Sequence, residues 1–178
     1  MAQHSFPDAI ALLKADHKKV LDLFEQFRHT RSPERKQALA HQICNELKIH
    51  TLIEEEIFYP ALRGAADDDI LDEAQIEHDN AKVLVNDLEE AEPGDGYFDA
   101  KISVLCEEIK HHIREEEKPS EGTFAQARKS EVDLKELRDQ MMERKKALLE
   151  QAESSGLPPA MARVVNIDAS VGRAAAAE

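Results

Sequence analysis

A chain of 178 residues is long enough for one domain with a sizeable core and too short for two of ordinary size joined by a linker. Its 37 acidic side chains outnumber 23 basic ones and leave a formal charge of −14, which argues against nucleic-acid backbones and anionic membrane surfaces as partners. The longest basic cluster, Arg144-Lys145-Lys146, lies in a charged helical stretch where it offsets neighbouring acids. His4, Asp8 and Lys14 interrupt the N-terminal stretch, so no apolar run there has signal-peptide length and none downstream has the length of a membrane span. A cytoplasmic protein is expected. Cys44 and Cys106 form no CxxC pair and read as buried thiols.

Strand signals are almost absent, and turn residues fall at wide intervals between segments with apolar residues at spacings of three and four. A first helix is predicted from about Pro7 to Arg28, with Ile10, Leu13, Val20, Leu21 and Phe24 on one stripe. Ser32-Pro33-Glu34 reads as an N-cap followed by proline in the first turn, opening a second helix that runs to near Gly64. A third spans about Ile70 to Ala91, and a fourth about Tyr97 to Glu117. A fifth, from about Ala125 to Gln151, has a narrower stripe of Leu134, Leu137, Met141 and Leu148. The expected architecture is all-α: an antiparallel up-down-up-down four-helix bundle over residues 1–153 that includes the additional C-terminal helix, then a flexible tail over 154–178.

Residues 44–55 read CNELKIHTLIEE and residues 106–117 read CEEIKHHIREEE, an internal repeat that aligns His50 with His112 and Glu54 with Glu116. The preceding helices match as well, with DHKKVL around His17 and EHDNAKVL around His78. A residue four positions further along an α-helix is displaced by only about 40°, so His50 and Glu54 share one stripe. That stripe also carries Ile43, Leu47 and Ile57, which turns the pair inward. In the fourth helix Ile102, Leu105 and Ile109 lead to His112 and Glu116, while His111 and Glu115 continue a wet side with Glu107 and Glu108. His17 and His78 take inward positions on the other two helices.

One histidine on an apolar stripe is usually a hydrogen-bonded core residue, but buried carboxylates left ionised and unpaired are very costly. Four imidazoles and two carboxylates directed at one axis are satisfied by divalent cations. Nitrogen and oxygen donors without thiolate suit Fe, Mn or Zn, and six side chains suit two ions about 3.5–4 Å apart, bridged by the glutamates. The di-iron carboxylate alternative, with two Glu-x-x-His pairs, is incomplete: Glu108 has His111, but Glu46 has Ile49 at the matching place.

Over roughly residues 8–150 the chain resembles the hemerythrin-like (HHE cation-binding) family, most strongly in ADH, KIHTLIEEEIFYPAL, EAQIEHD and KHHIREEE. The resemblance implies a non-haem di-iron centre with a solvent-derived bridging oxygen, and its ligands here would be His17, His50, Glu54, His78, His112 and Glu116. It further implies a small ligand such as O2, nitric oxide or peroxide, bound, sensed or turned over. Two positions depart from the oxygen carriers of the family. Ala74 stands where they have a further histidine, and Glu117 stands where they have their last carboxylate, an aspartate. An open position on one ion, or ligation by Glu73, Glu77 or Glu117, follows from those departures. Three functions are therefore expected in order: an oxidant-binding or sensing protein, a peroxide- or nitric-oxide-handling enzyme, and a bundle cross-linked structurally by metal.

Overall fold

The computed structural model describes residues 6–166, and among them the ordered elements are helical, with no strand. Helix α1 spans Ala9–His29 and α2 spans Pro33–Ile53; a π-helical segment, Glu54–Phe58, and a short α3, Tyr59–Leu62, continue it. Then follow α4 at Asp68–Glu89, α5 at Phe98–Glu116, α6 at Thr123–Lys129 and α7 at Leu134–Ser154. Side-chain oxygens open the long helices at Asp8, which accepts from the Ala11 N–H at 2.9 Å, and at Ser32, which accepts from Arg35 at 3.2 Å. Helices α1, α2, α4 and α5 pack in a closed ring, and α7 lies against α1 and α2.

The single fifth helix expected from about Ala125 to Gln151 is instead two. Ser130 ends α6, and the Asp133 carboxylate caps α7 by accepting from the Lys135 and Glu136 N–H groups at 2.9 and 3.1 Å. A side chain that caps a new helix start competes with continuation of the old one. Of the tail expected to be flexible, residues 167–178 lie outside the described residues, whereas Leu157 to Val165 are held by hydrogen bonds to α2 and α4.

The second predicted helix reaches its expected end, but through a π turn. Pro60 has no N–H to donate to the Glu56 carbonyl, and the Tyr59 N–H instead bonds the carbonyl of Glu54, five residues back. The extra residue shifts the inward register by one. Ile57, placed inward by an unbroken α repeat, is only partly buried, while Phe58 and Tyr59 take the inward places.

Two apolar clusters divide the interior. One gathers Val20, Phe24 and Phe27 with Ile43, Leu47, Val85, Phe98 and Ile102. The other gathers Ile10 and Leu13 with Ile53, Phe58, Leu71 and Phe124, plus Leu137 and Met141 of α7. A layer of buried polar side chains lies between them, one from each of α1, α2, α4 and α5: His17 on α1, His50 on α2, His78 on α4 and His112 on α5.

Candidate metal centre

Each of α1, α2, α4 and α5 carries one histidine into this layer, and the structure brings all six sequence-predicted site residues together there. His17, His50, Glu54 and Glu116 form one group whose donor atoms lie within 4.8 Å of one another; Glu54, His78 and His112 form a second by the same measure. Glu54 belongs to both. Its Oε2 lies 3.1 Å from His50 Nε2 and 3.3 Å from His78 Nε2, and Glu116 Oε2 lies 3.3 Å from His17 Nε2 and 3.6 Å from His112 Nε2. His111 is 54% exposed and lies outside both groups.

A second ring of carboxylates stands behind the imidazoles. Glu117 Oε1 is 2.8 Å from His17 Nδ1, Glu55 Oε1 is 3.0 Å from His78 Nδ1, and Glu77 Oε2 is 2.8 Å from His112 Nδ1. Asp16 stands behind His50 Nδ1 at 3.8 Å, an ion-pair distance beyond hydrogen-bond reach. The pattern follows the repeat: an acid just before each lone histidine, Asp16 or Glu77, faces the next helix, and an acid just after each inward glutamate, Glu55 or Glu117, does the same. These four partners were not singled out as a supporting ring by sequence reasoning, although their adjacency in ADH, EHD and the two Glu-Glu pairs carries the signal. Glu77 and Glu117, weighed there as extra ligands, occupy this outer ring and not the inner groups.

Carboxylates at Nδ1 of His17, His78 and His112 hold a proton on that nitrogen and aim each Nε2 inward. His78 Nε2 and His112 Nε2 then face one another at 3.2 Å. His17 Nε2, His50 Nε2, Glu54 Oε1 and Glu116 Oε2 are buried and have no hydrogen-bond partner. Neutral imidazole and ionised carboxylate in that condition fit divalent cations, which accept the donor set that no N–H satisfies.

Without a cation the carboxylates draw protons onto the rings. Burial opposes charge on His50, but Glu54 and Asp16 outweigh it and raise the pKa to about 10. His17 and His78 are raised against burial by Glu116 with Glu117 and by Glu54 with Glu55. The Glu54 carboxyl, despite burial, is held well below its usual range by His50 and His78. Hydrogen bonding to His17 lowers Glu117 to about 2, with Lys14 adding to the effect against partial burial.

Tyr59 is the residue that the stripe argument missed. Its hydroxyl donates to Glu116 Oε1 at 3.0 Å and lies 3.4 Å from both Glu54 Oε2 and His78 Nε2. Burial and the two carboxylates push the phenol well above its ordinary pKa, so it remains a proton donor. Only the π register brings it in, and Pro60 was the available signal.

Beside the second group lies an open cleft of about 460 Å³ lined by Ala74, Glu73, Glu77, His111, His112 and Glu116 among others. The loop after α5 lines part of the same cleft and closes tightly on the layer: Phe124 stacks on His17 with ring centroids 5.6 Å apart, and Gly122 lies against the last turn of α5. A methyl group on Gly122 would overlap the Glu115 and Glu116 carbonyl oxygens. Gly122→Ala is therefore expected to cost about 1–3 kcal/mol by overpacking. A thermal melt of the metal-free protein reads this as roughly 2–4 °C per kcal/mol.

Residues 8–119 match the family model described as hemerythrin HHE cation binding domain. Among solved structures, a hemerythrin HHE cation binding domain-containing protein from Mycobacterium kansasii, an Rv2633c homolog, superposes with a TM-score of 0.66 at 22% identity, over 84% of this chain and 94% of that one. Among curated proteins, a DNA nickase of Nostoc sp. is 27% identical over 106 residues, which is 60% of this chain. The chain spans only 30% of the nickase's length.

Proposed function

The chain belongs to the hemerythrin HHE cation-binding domain family, and from that premise we propose that it holds a non-haem di-iron centre that binds or senses O2 or a related oxidant. The supporting helices are then the four of an up-down-up-down bundle, with α7 as the added helix. His17, His50, Glu54 and Glu116 would hold one ion, and His78 and His112 would hold the other with Glu54, which is common to the two groups. Zinc or manganese suits the same donors. The observation that carries the proposal is the meeting of His78 Nε2 and His112 Nε2, 3.2 Å apart with both Nδ1 atoms already committed to carboxylates.

When bound, such a pair supplies an open position for a small oxidant and electrons to reduce it. The chain's own residues do the rest. Ala74 removes a side chain where the cleft meets His112 and Glu116, which gives a diatomic molecule or peroxide a way in. Apolar clusters on both faces keep bulk water out, and Tyr59 O–H holds a proton beside Glu116. The same cleft and phenol favour a second reading, an enzyme that turns over peroxide or nitric oxide.

Protein purified from iron-fed cells is expected to hold roughly two irons per chain. Its reduced form should gain visible absorption on exposure to air. Iron-free protein of full helicity and stability would sink the metal reading. If zinc serves equally and air changes nothing, the metal is a structural cross-link. Oxygen released from added peroxide, or nitric oxide consumed, would select the enzyme. The net charge of −14 argues against a DNA partner of the kind the nickase's name implies. Among the described residues no helix is long and apolar enough to cross a membrane, and we place the protein in the cytoplasm.

A further inference from the structure

The chain beyond residue 119, outside the matched family domain, sends one cation to the carboxylate ring behind each metal-holding group. Lys145 of α7 pairs with Asp16, behind His50 of the first group. Arg163 pairs with Glu55, behind His78 of the second. The Arg163 contact is the more consequential. Glu55 Oε1 accepts from His78 Nδ1, from Lys82 at 2.6 Å and from Gln75 at 3.1 Å, whereas Oε2 accepts no hydrogen bond and faces the Arg163 guanidinium at 2.6 Å. The Glu55 side chain is only 1% exposed, so without Arg163 Oε2 is left in a dry place with no partner of its own, and only the Oε1 side keeps a cation, Lys82.

The segment that delivers Arg163 is fastened by main-chain groups. The N–H groups of Arg163, Val164 and Val165 converge on the Asp79 carboxylate at 2.9, 2.7 and 2.9 Å, a nest of the kind that holds anions. Asn86 and Ala160 exchange a reciprocal pair of hydrogen bonds at 2.9 and 2.7 Å. Asp79 directly follows His78, and Glu55 directly follows Glu54. Two of the segment's anchors, Asp79 and Glu55, are thus neighbours in sequence of members of the second group.

We propose that residues 157–165 form a brace for the metal centre and that Arg163 is a positioning residue, fixing the His78 imidazole through Glu55. The inference rests on His78 being a metal ligand. Because segment and metal restrain the same ring, each stabilises the other: metal tightens the brace by the free energy with which the brace tightens the metal.

The test uses the full chain loaded with iron(II) and challenged with a chelator. Arg163→Ala is expected to release one of its irons faster by roughly 10- to 100-fold, the usual scale for a lost support behind a metal-bound histidine. The other iron should keep its wild-type rate. Arg163→Lys should recover most of the retention, and Arg128→Ala, which breaks an exposed pair with Asp8, should change nothing. In the wild-type chain the amides of residues 163–165 should exchange hydrogen more slowly with iron than without it. A loss of both irons in parallel, or no recovery with lysine, would mark a merely structural contact and overturn the inference. So would equal retention by Arg163→Ala, or amide exchange indifferent to iron. A wild-type chain that takes up no iron fails the metal reading itself, and the brace with it.

Discussion

Glu54→Ala is expected to empty both groups, leaving less than one ion per chain where the wild type holds roughly two. Glu54 is the one side chain common to the two sets, with Oε2 3.1 Å from His50 Nε2 and 3.3 Å from His78 Nε2. It is fully buried, so water cannot take its place without opening the core. The loss in affinity should exceed the roughly 10- to 100-fold typical of outer-ring substitutions, since here the donor itself is gone. Metal analysis after dialysis is the direct measurement, and a variant that keeps either ion tightly would refute the shared position of Glu54.

The same substitution separates a stability effect from the metal effect. In the metal-free protein the Glu54 carboxylate, with Asp16, raises His50 from 6.5 to about 10. A raised imidazole contributes stability that is present in full below pH 6.5 and is lost as pH rises through about 10. Glu54 is itself depressed below 4.5, so its own contribution is present above that value and is lost as pH falls further. Metal-free Glu54→Ala should therefore melt below the wild type between these limits, with the difference shrinking as the pH approaches 10.

Much of this centre could be read from the chain because helical periodicity and duplication give the same register. His50, Glu54, His112 and Glu116 repeat at matching places on two apolar stripes, and both lone histidines continue stripes of their own. Backbone events that no apolar pattern encodes were not legible. The π turn at Glu54–Phe58 exchanges Ile57 for Phe58 on the inward face and brings in Tyr59, and the residue next after Tyr59 is Pro60, which has no N–H to donate. The break before α7 depends on Asp133 capping two N–H groups, a local competition invisible to a periodicity count. The docking of residues 157–165 uses main-chain donors on Asp79, so the identities of Val164 and Val165 announce nothing. The outer carboxylates fall between these cases: their positions follow the repeat, but their role appears only when neighbouring helices meet.

His112→Ala is expected to lose the second ion, whereas His111→Ala should keep nearly all metal, although the two stand side by side in KHHIREEEK. His112 is 3% exposed, with Nε2 3.2 Å from His78 Nε2 and 3.6 Å from Glu116 Oε2. Removing it leaves His78 and Glu54 as the only members of the second group, too few donors to hold an ion against water. His111 touches the site through Glu77 alone: its Nε2 lies 3.2 Å from Oε1, while Oε2 of the same carboxylate supports His112. Its loss should therefore change the orientation of Glu77 and not the donor count, an effect of at most the roughly tenfold lower end of outer-ring losses. Chelator competition on the two variants side by side measures both. The reverse outcome would mean that α5 is rotated by one residue, about 100°, from the register in which Ile102, Leu105 and Ile109 face the core.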